Sequence, residues 1–401
     1  MYLTHLALTN FRVFSRLDLT LPRRLLLLAG ANAQGKTSLL EAVYYLATLT
    51  SVHSSSDKQL INFNALEDQV AVGRIIADFV RETKEHRLEV RLIREPNGIE
   101  GYRHRKEILL DGVKRTMTDA VGLFNAVIFL PQMTQIIEGG PEGRRRYLNL
   151  LLAQVVPGYA RILTDYAQAV TQRNALLKDL SNRMGDASQL DFWDSMVAKK
   201  GAVLFSARAA AVKEMERVHG TVHEALTQGK ELIRLRYLPA LDLTADDEQQ
   251  ALFRNEPADL TNFTIAELEN HFLENLARTR AEQISRGVTT IGPHRDELRF
   301  MCNGVDLGDY GSRGQVRTAL MALKLAEVEW MKEKTGETPV LLLDETLAEL
   351  DEHRRGELMN ALHGSDQAFL TTTDVSHFSS NFVEKVAVWN VSNGYVQPAG
   401  S

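Results

Sequence analysis

LLLLAGANAQGKTSLLEAVYYL, residues 25–46, is the stretch from which the rest of the chain can be read. The apolar run Leu25–Leu28 predicts a buried strand, and Ser38–Leu46 predicts a helix. Between them Gly30, Gly35, Lys36 and Thr37 satisfy the spacing G-x-x-x-x-G-K-[ST], in the strand–loop–helix setting that a phosphate-binding loop requires. Glycine lets successive backbone N–H groups curl around phosphate oxygens, and the start of the helix adds a favourable dipole. The expected ATP contacts are the loop residues Gly30, Ala31, Asn32, Ala33, Gln34, Gly35, Lys36, Thr37 and Ser38. Lys36 is placed to reach the β- and γ-phosphates, and the Thr37 hydroxyl to ligate Mg²⁺.

Three further segments extend this reading. Val340–Glu345, VLLLDE, is an apolar strand ending in paired acids. Beside a phosphate loop, Asp344 would hold Mg²⁺, and Glu345 would stand where a carboxylate takes a proton from the attacking water. Asp351 is either the N-cap of the following helix or a residue that faces a partner's site. Ser312-Arg313-Gly314-Gln315 opens another helix with a serine hydroxyl, nearby glycines and free amides, a second anion-binding start. One chain offers it only the nucleotide already held by Lys36. Its simplest use is therefore in trans, with Ser312, Gly314 and Gln315 presented to the γ-phosphate of a second copy; the bland alternative is a plain N-cap.

The 401 residues suffice for a sizeable core and two domains. Cys302 is the single cysteine, so no intrachain disulfide can form and a reducing, cytoplasmic setting is expected. Neither a signal peptide nor a membrane-spanning apolar run is legible. The net charge of −6 excludes a protein that coats nucleic acid with its whole surface. Charge is uneven, however: residues 141–240 carry 15 Lys and Arg against 10 Asp and Glu, while residues 241–285 carry 3 against 10.

In chain order, residues 1–21 read as a β-hairpin, and strands at 70–80, 87–93 and 108–110 make an antiparallel-rich lobe. Ala126–Leu130 is a short strand. From Arg144 to Gly229 the pattern is helical, broken at Gly185, as for two antiparallel helices forming a short arm. Residues 232–238 suggest one strand, 240–259 an acidic loop and 265–284 a helix; strand and helix then alternate from Gly287. The fold class expected is α/β, a nucleotide-binding P-loop domain split into 1–120 and 286–401 by a helical lobe at 121–285.

Phosphate loop, Ser-x-Gly-Gln, VLLLDE and Asp351, in that order, resemble the ABC-type ATPase head of the structural maintenance of chromosomes (SMC) proteins. LTNFRVF near the start, GGPEGRRRYL at Gly139–Leu148, Gly292-Pro293-His294-Arg295-Asp296 and YGSRGQVRTALMALKLAE narrow the resemblance to the RecF family. It implies an ATP-dependent homodimer that binds double-stranded DNA near single-strand gaps, hydrolyses ATP, and acts with RecR in loading RecA. It also places Arg12 near the nucleotide and Gln132 at the loop that senses the γ-phosphate and Mg²⁺. Several positions depart from the family pattern: Gln132 and Met133 replace Glu-Asp, and Glu138, Asn149, Glu345 and Ala348 replace a basic residue, an acid, an aspartate and a serine. An arginine expected near Ser54–Ser56 is absent. Two rivals follow: an SMC-like repair ATPase of another type, and an ATP-binding scaffold with little turnover because the changes at Asn149 and Ala348 blunt the site.

The candidates for DNA-backbone contact are Arg103, Arg105, Lys106, Arg144, Arg145, Arg146, Lys199 and Lys200. Arg144–Arg146 equally suit structural ion pairs. His219 and His223, at i, i+4 spacing, read as a solvent-facing pair rather than metal ligands.

Overall fold

The computed structural model describes residues 1–52, 56–98, 101–243 and 259–399. Parts of the serine-rich loop at 51–57 and of the acidic stretch 240–259 lie outside them. The chain forms two compact units, Met1–Met133 with Met321–Ser401, and Thr134–Leu320. The sequence places these divisions at 120/121 and 285/286. Strand pairing accounts for both differences, as the elements below make plain.

The first unit begins with β1 (Tyr2–Phe11), β2 (Phe14–Thr20) and β3 (Leu25–Ala29), followed by helix α1 (Lys36–Thr48). After it come β4 (Ala71–Arg81), β5 (Lys84–Pro96), β6 (Tyr102–Leu110), β7 (Val113–Arg115) and β8 (Ala126–Phe129). One six-stranded antiparallel sheet has the order β2-β1-β4-β5-β6-β7, with Leu8 opposite Leu17 on one side and Ile75 on the other. Alternation of apolar and polar residues along β1 and β4 turns one face of this sheet inward.

The second sheet recruits the end of the chain: β12 (Val340–Leu343), β13 (Ala368–Thr372), β14 (Ala387–Ser392) and β15 (Tyr395–Pro398). Its order is β15-β14-β3-β13-β12-β8. All but the β14–β15 hairpin pair in parallel, and their continuous apolar runs fit strands covered on both faces. Because β8 pairs with β12, Ala126–Phe129 belongs to the first unit. Helix α1 contacts strands of both sheets and buries Leu39, Leu40, Val43, Tyr45 and Leu46, so its apolar residues run around the axis rather than along one stripe. Each such fully buried side chain contributes about 1.5–3 kcal/mol of transfer free energy.

The second unit is mainly helical: α2 (Pro141–Val155), α3 (Tyr159–Ser181), α4 (Leu190–Thr227), α5 (Ile265–Arg278) and α6 (Arg280–Arg286). The single helix expected at 265–284 is two, separated at Thr279. A three-stranded sheet of order β11-β10-β9, built from β9 (Ile233–Leu238), β10 (Glu297–Cys302) and β11 (Val305–Asp306), completes it. Pairing of Phe300 with Leu235 is what carries residues 287–320 into this unit. The division then falls inside α7 (Arg313–Thr335); α8 (Glu352–His363) follows β12 in the first unit.

A buried polar network stitches the second unit. Arg208 donates to Asp296 Oδ2 at 2.7 Å and to Asn149 Oδ1 at 2.8 Å, and the Ala240 amide donates to Asp296 Oδ1 at 2.9 Å. The Tyr237 hydroxyl donates to the same carboxylate, and that of Tyr159 to Asn149 at 2.9 Å. Asn149 thus still accepts from a buried arginine, as an acid there would, within the core of this unit.

Candidate functional site

The ends of parallel strands leave unpaired backbone and the starts of helices, which is where open α/β sheets bind ligands. Here the C-terminal ends of β3, β13, β12 and β8 lie side by side, carrying the phosphate loop, Thr371–Thr372, Asp344–Glu345 and Pro131–Gln132 respectively. Two glycines fix the loop. A Cβ on Gly30 would come within 2.2 Å of the Val391 carbonyl oxygen, and Gly35 has φ +112° at the start of α1. No side chain caps that helix start, so its amides stay open to an anionic ligand. The β14–β15 turn braces the loop from the side, with the Asn393 amide donating to Gln34 Oε1 at 2.6 Å.

Lys36 is only 4% exposed. Its ammonium donates to the Gly30 and Ala31 carbonyls at 2.6 and 3.0 Å and lies 3.3 Å from Glu345 Oε1. The positive charge therefore sits inside the curl of the loop, within reach of the carboxylate. Thr37 and Asp344, far apart in sequence, meet: the threonine hydroxyl donates to Asp344 Oδ2 at 2.8 Å. Thr371 holds the other carboxylate oxygen at 2.7 Å and accepts the Glu345 amide at 3.0 Å. Glu345 itself adopts a left-handed backbone, φ +50°, a sparsely populated state for a non-glycine residue.

One hydroxyl and one carboxylate, both oxygen donors at hydrogen-bond separation, fit Mg²⁺. That ion prefers few protein ligands and completes its shell with water and phosphate. Among the described residues no group of three or more acidic, histidine or cysteine side chains forms a dedicated metal cage. Gln132 lies exposed on the turn after β8, next to the strand that carries Asp344.

Arg12 sits at the β1–β2 turn with φ +51°. Its guanidinium makes a two-pronged contact with Glu41 of α1, at 2.8 and 2.9 Å, and Nη1 donates to the Gln59 carbonyl at 3.1 Å. Glu41 is buried and also accepts from Ser51 at 2.5 Å. The neighbouring Val13 touches the phosphate loop: a Cβ added at Gly35 would lie 2.8 Å from its Cγ2. Glu41 and Thr371 escape a reading by motif. The one trace of Glu41 is an acid in the otherwise apolar face of the loop's helix.

In the second unit Ser312 and Gln315 cap one another at the start of α7. Gln315 N donates to Ser312 Oγ at 3.2 Å, and Ser312 N donates to Gln315 Oε1 at 3.1 Å, the reciprocal arrangement of a capping box. Ser312 and Gly314 are exposed and Tyr310 projects beside them, 78% exposed. Asp351 caps α8, accepting the Arg354 amide at 2.9 Å.

The basic candidates separate. Arg144 is paired with Glu297 at 2.6 and 2.8 Å and donates to the Gly139 and Ile137 carbonyls; against burial, that pairing holds the Glu297 carboxyl below its ordinary range. Arg145 donates to the Asp296 carbonyl at 2.8 Å. Lys106 is turned onto the Leu49 carbonyl and Asp57, Arg105 onto Glu107 and Glu95, and Lys200 onto Asp165. Arg103, Arg146 and Lys199 are exposed.

The expectation for the histidine pair is corrected. His219 and His223 are buried, because their face of α4 packs against the three-stranded sheet and α7. Burial presses the His219 pKa down to about 3, while its Nε2 meets the Ala319 carbonyl at 3.1 Å.

Comparison with known proteins bears on these features. The model of the RecF/RecN/SMC N-terminal domain family matches residues 2–397. The DNA replication and repair protein RecF of Chloroflexus aurantiacus is 37% identical, over 99% of each chain. That of Bacillus velezensis is 32% identical, over 98% of this chain and 99% of its own. Among solved structures, the recombination mediator protein RecF with ATP, of the RecFOR pathway, superposes with a TM-score of 0.84 at 26% identity, covering 100% of this chain and 98% of that one. An SMC head bound to a winged-helix domain of ScpA shares the fold, with a TM-score of 0.52 at 13% identity.

Proposed function

The chain belongs to the RecF family, and on that premise we propose that it is an ATP-gated DNA-binding protein of recombinational repair and replication. In this reading each protomer binds ATP at Lys36, and Ser312, Gly314 and Gln315 of a second copy close over the γ-phosphate. The closed homodimer grips double-stranded DNA near a single-strand gap and acts with RecR, and through it RecA. The observation that carries the reading is the hydrogen bond from Thr37 to Asp344, with Lys36 and Glu345 in contact beside it.

The chemistry follows from those side chains. The amides at the start of α1 and the Lys36 ammonium bind phosphate oxygens, and Thr37 and Asp344 would hold Mg²⁺, which screens the charge of the β- and γ-phosphates. Glu345 takes a proton from the water whose oxygen attacks the γ-phosphorus, as the bond to the bridging oxygen breaks and ADP leaves. Thr371 holds Asp344 and the Glu345 amide in register, and Gln132 stands on the loop beside them. Arg12, held by Glu41, is a further nucleotide contact.

One observation favours a second reading, an ATP-binding scaffold with little turnover: Glu345 Oε1 lies 3.3 Å from the Lys36 ammonium, so the carboxylate proposed as the base is already engaged by the lysine of the loop. Phosphate release with and without duplex DNA, for wild type, Lys36→Ala and Glu345→Gln, separates the two. The ATPase reading expects DNA-stimulated turnover in the wild type only, with ATP-driven dimers surviving in Glu345→Gln. Undiminished release by Glu345→Gln would assign the base elsewhere, and release absent from the wild type would favour the scaffold.

A further inference from the structure

The Ser312–Gln315 cap is itself held in place by a residue from another element. Gln315 Nε2 donates to Glu231 Oε1 at 3.0 Å, while Gln315 Oε1 accepts the Ser312 amide at 3.1 Å. A carboxylate only accepts and a backbone N–H only donates, so these two partners permit one orientation of the Gln315 amide. Turned over, its NH₂ would face the Ser312 N–H and its oxygen would face the carboxylate. We propose that Glu231 is a positioning residue for the Ser312–Gln315 segment, fixing the Gln315 amide so that the Ser312 hydroxyl is set for the γ-phosphate of a second copy.

Glu231 is itself well anchored. It stands two residues before β9, where Leu232 and Asn303 bind one another: the Leu232 amide donates to Asn303 Oδ1 and the Asn303 amide to the Leu232 carbonyl, each at 2.9 Å. His223 Nε2 lies 3.7 Å from its Oε2. The Cys302 thiol, at the end of β10, is pushed up to about 11 by burial and by Glu231, so it stays protonated and can donate to the carboxylate. On α7 the next turn is tied down as well, through His219 Nε2 and the Ala319 carbonyl at 3.1 Å. Strand, helix and capped turn thus meet at one carboxylate, which nothing in the motifs points to.

This inference rests on the in-trans reading of Ser312, and the experiment tells the two apart. Glu231→Ala, Glu231→Gln and Ser312→Ala are compared with wild type for affinity of the protomer for a fluorescent ATP analogue, ATP-driven dimerisation by light scattering, and melting temperature. Glu231 lies in the second unit and Lys36 in the first, so nucleotide affinity should be unchanged in Glu231→Ala. Dimerisation should weaken roughly tenfold, the effect of losing one hydrogen bond to a charged group. Glu231→Gln, whose carbonyl oxygen can still accept from Gln315, should recover most of it. In the double variant Glu231→Ala/Gln315→Ala the loss should not exceed that of Gln315→Ala alone. If Ser312→Ala weakens dimerisation and Glu231→Ala does not, the positioning role is overturned and the trans reading stands. If Ser312→Ala dimerises like wild type, the trans reading falls. Should Glu231→Ala lower the melting temperature, Glu231→Gln and the double variant decide; additive losses would contradict the proposal.

Discussion

Thr371 carries one hydroxyl between the two acids on which the proposed chemistry depends, accepting from the Glu345 amide and donating to Asp344. Thr371→Val keeps the shape and removes both bonds. Leaving a half-buried carboxylate and an amide without their partner costs about 1–3 kcal/mol. If that loss falls on the transition state, kcat should drop roughly 10- to 100-fold. ATP affinity, which the proposal assigns mainly to Lys36 and the loop amides, should change far less, and steady-state kinetics beside equilibrium ATP binding measures both. A loss of ATP affinity with kcat unchanged would mean that Thr371 serves the ground state alone. Lys36, Thr37 and Asp344 stand out in the sequence because they lie in the spacing G-x-x-x-x-G-K-[ST] and at the end of an apolar run. Thr371 is not, because it reaches Asp344 only once β12 and β13 pair in register, Leu343 beside Leu370.

Elements decide what the basic residues do. Arg144 spends its guanidinium on Glu297 and on the carbonyls of Ile137 and Gly139, at the turn that leads into α2. Arg144→Ala should therefore lower stability by about 1–3 kcal/mol in chemical denaturation, with the salt slope of DNA binding unchanged; a shallower slope with stability intact would return Arg144 to the DNA surface. Arg103 and Lys199, both exposed, are where a shallower slope is expected, by about one phosphate each.

His219 of α4 gives a pH signature. His219 is neutral in the fold down to about pH 3 and titrates near 6.5 when unfolded. The unfolded chain binds the extra proton between those values, so stability falls as pH drops below 6.5, by up to about 1.4 kcal/mol per pH unit. His219→Gln should flatten that slope in denaturant titrations between pH 6.5 and 4.5, and an unaltered slope would rule the residue out as its source. Sequence spacing puts the two histidines on one helix face but cannot say what covers that face. The covering β10 lies some 80 residues further on (His219 to Phe300), and its strand character was legible while its partner was not. For the same reason the divisions between the units, at 133/134 and 320/321, follow pairing rather than composition.

At the scale of the molecule, a net charge of −6 argues that the proposed DNA contact uses a limited surface rather than the whole exterior. The α/β class was legible, since it is written in contiguous stretches of strand and helix pattern. The supporting residues Glu41, Thr371 and Glu231 were not, since each acts through a partner that only the folded chain supplies. The most direct measurement is equilibrium binding of a gapped duplex by wild type with ATP, by wild type without nucleotide, and by Lys36→Ala with ATP, at one fixed salt concentration. Tight binding in the first case only is the result expected of an ATP-gated grip. Equal binding in all three would contradict it.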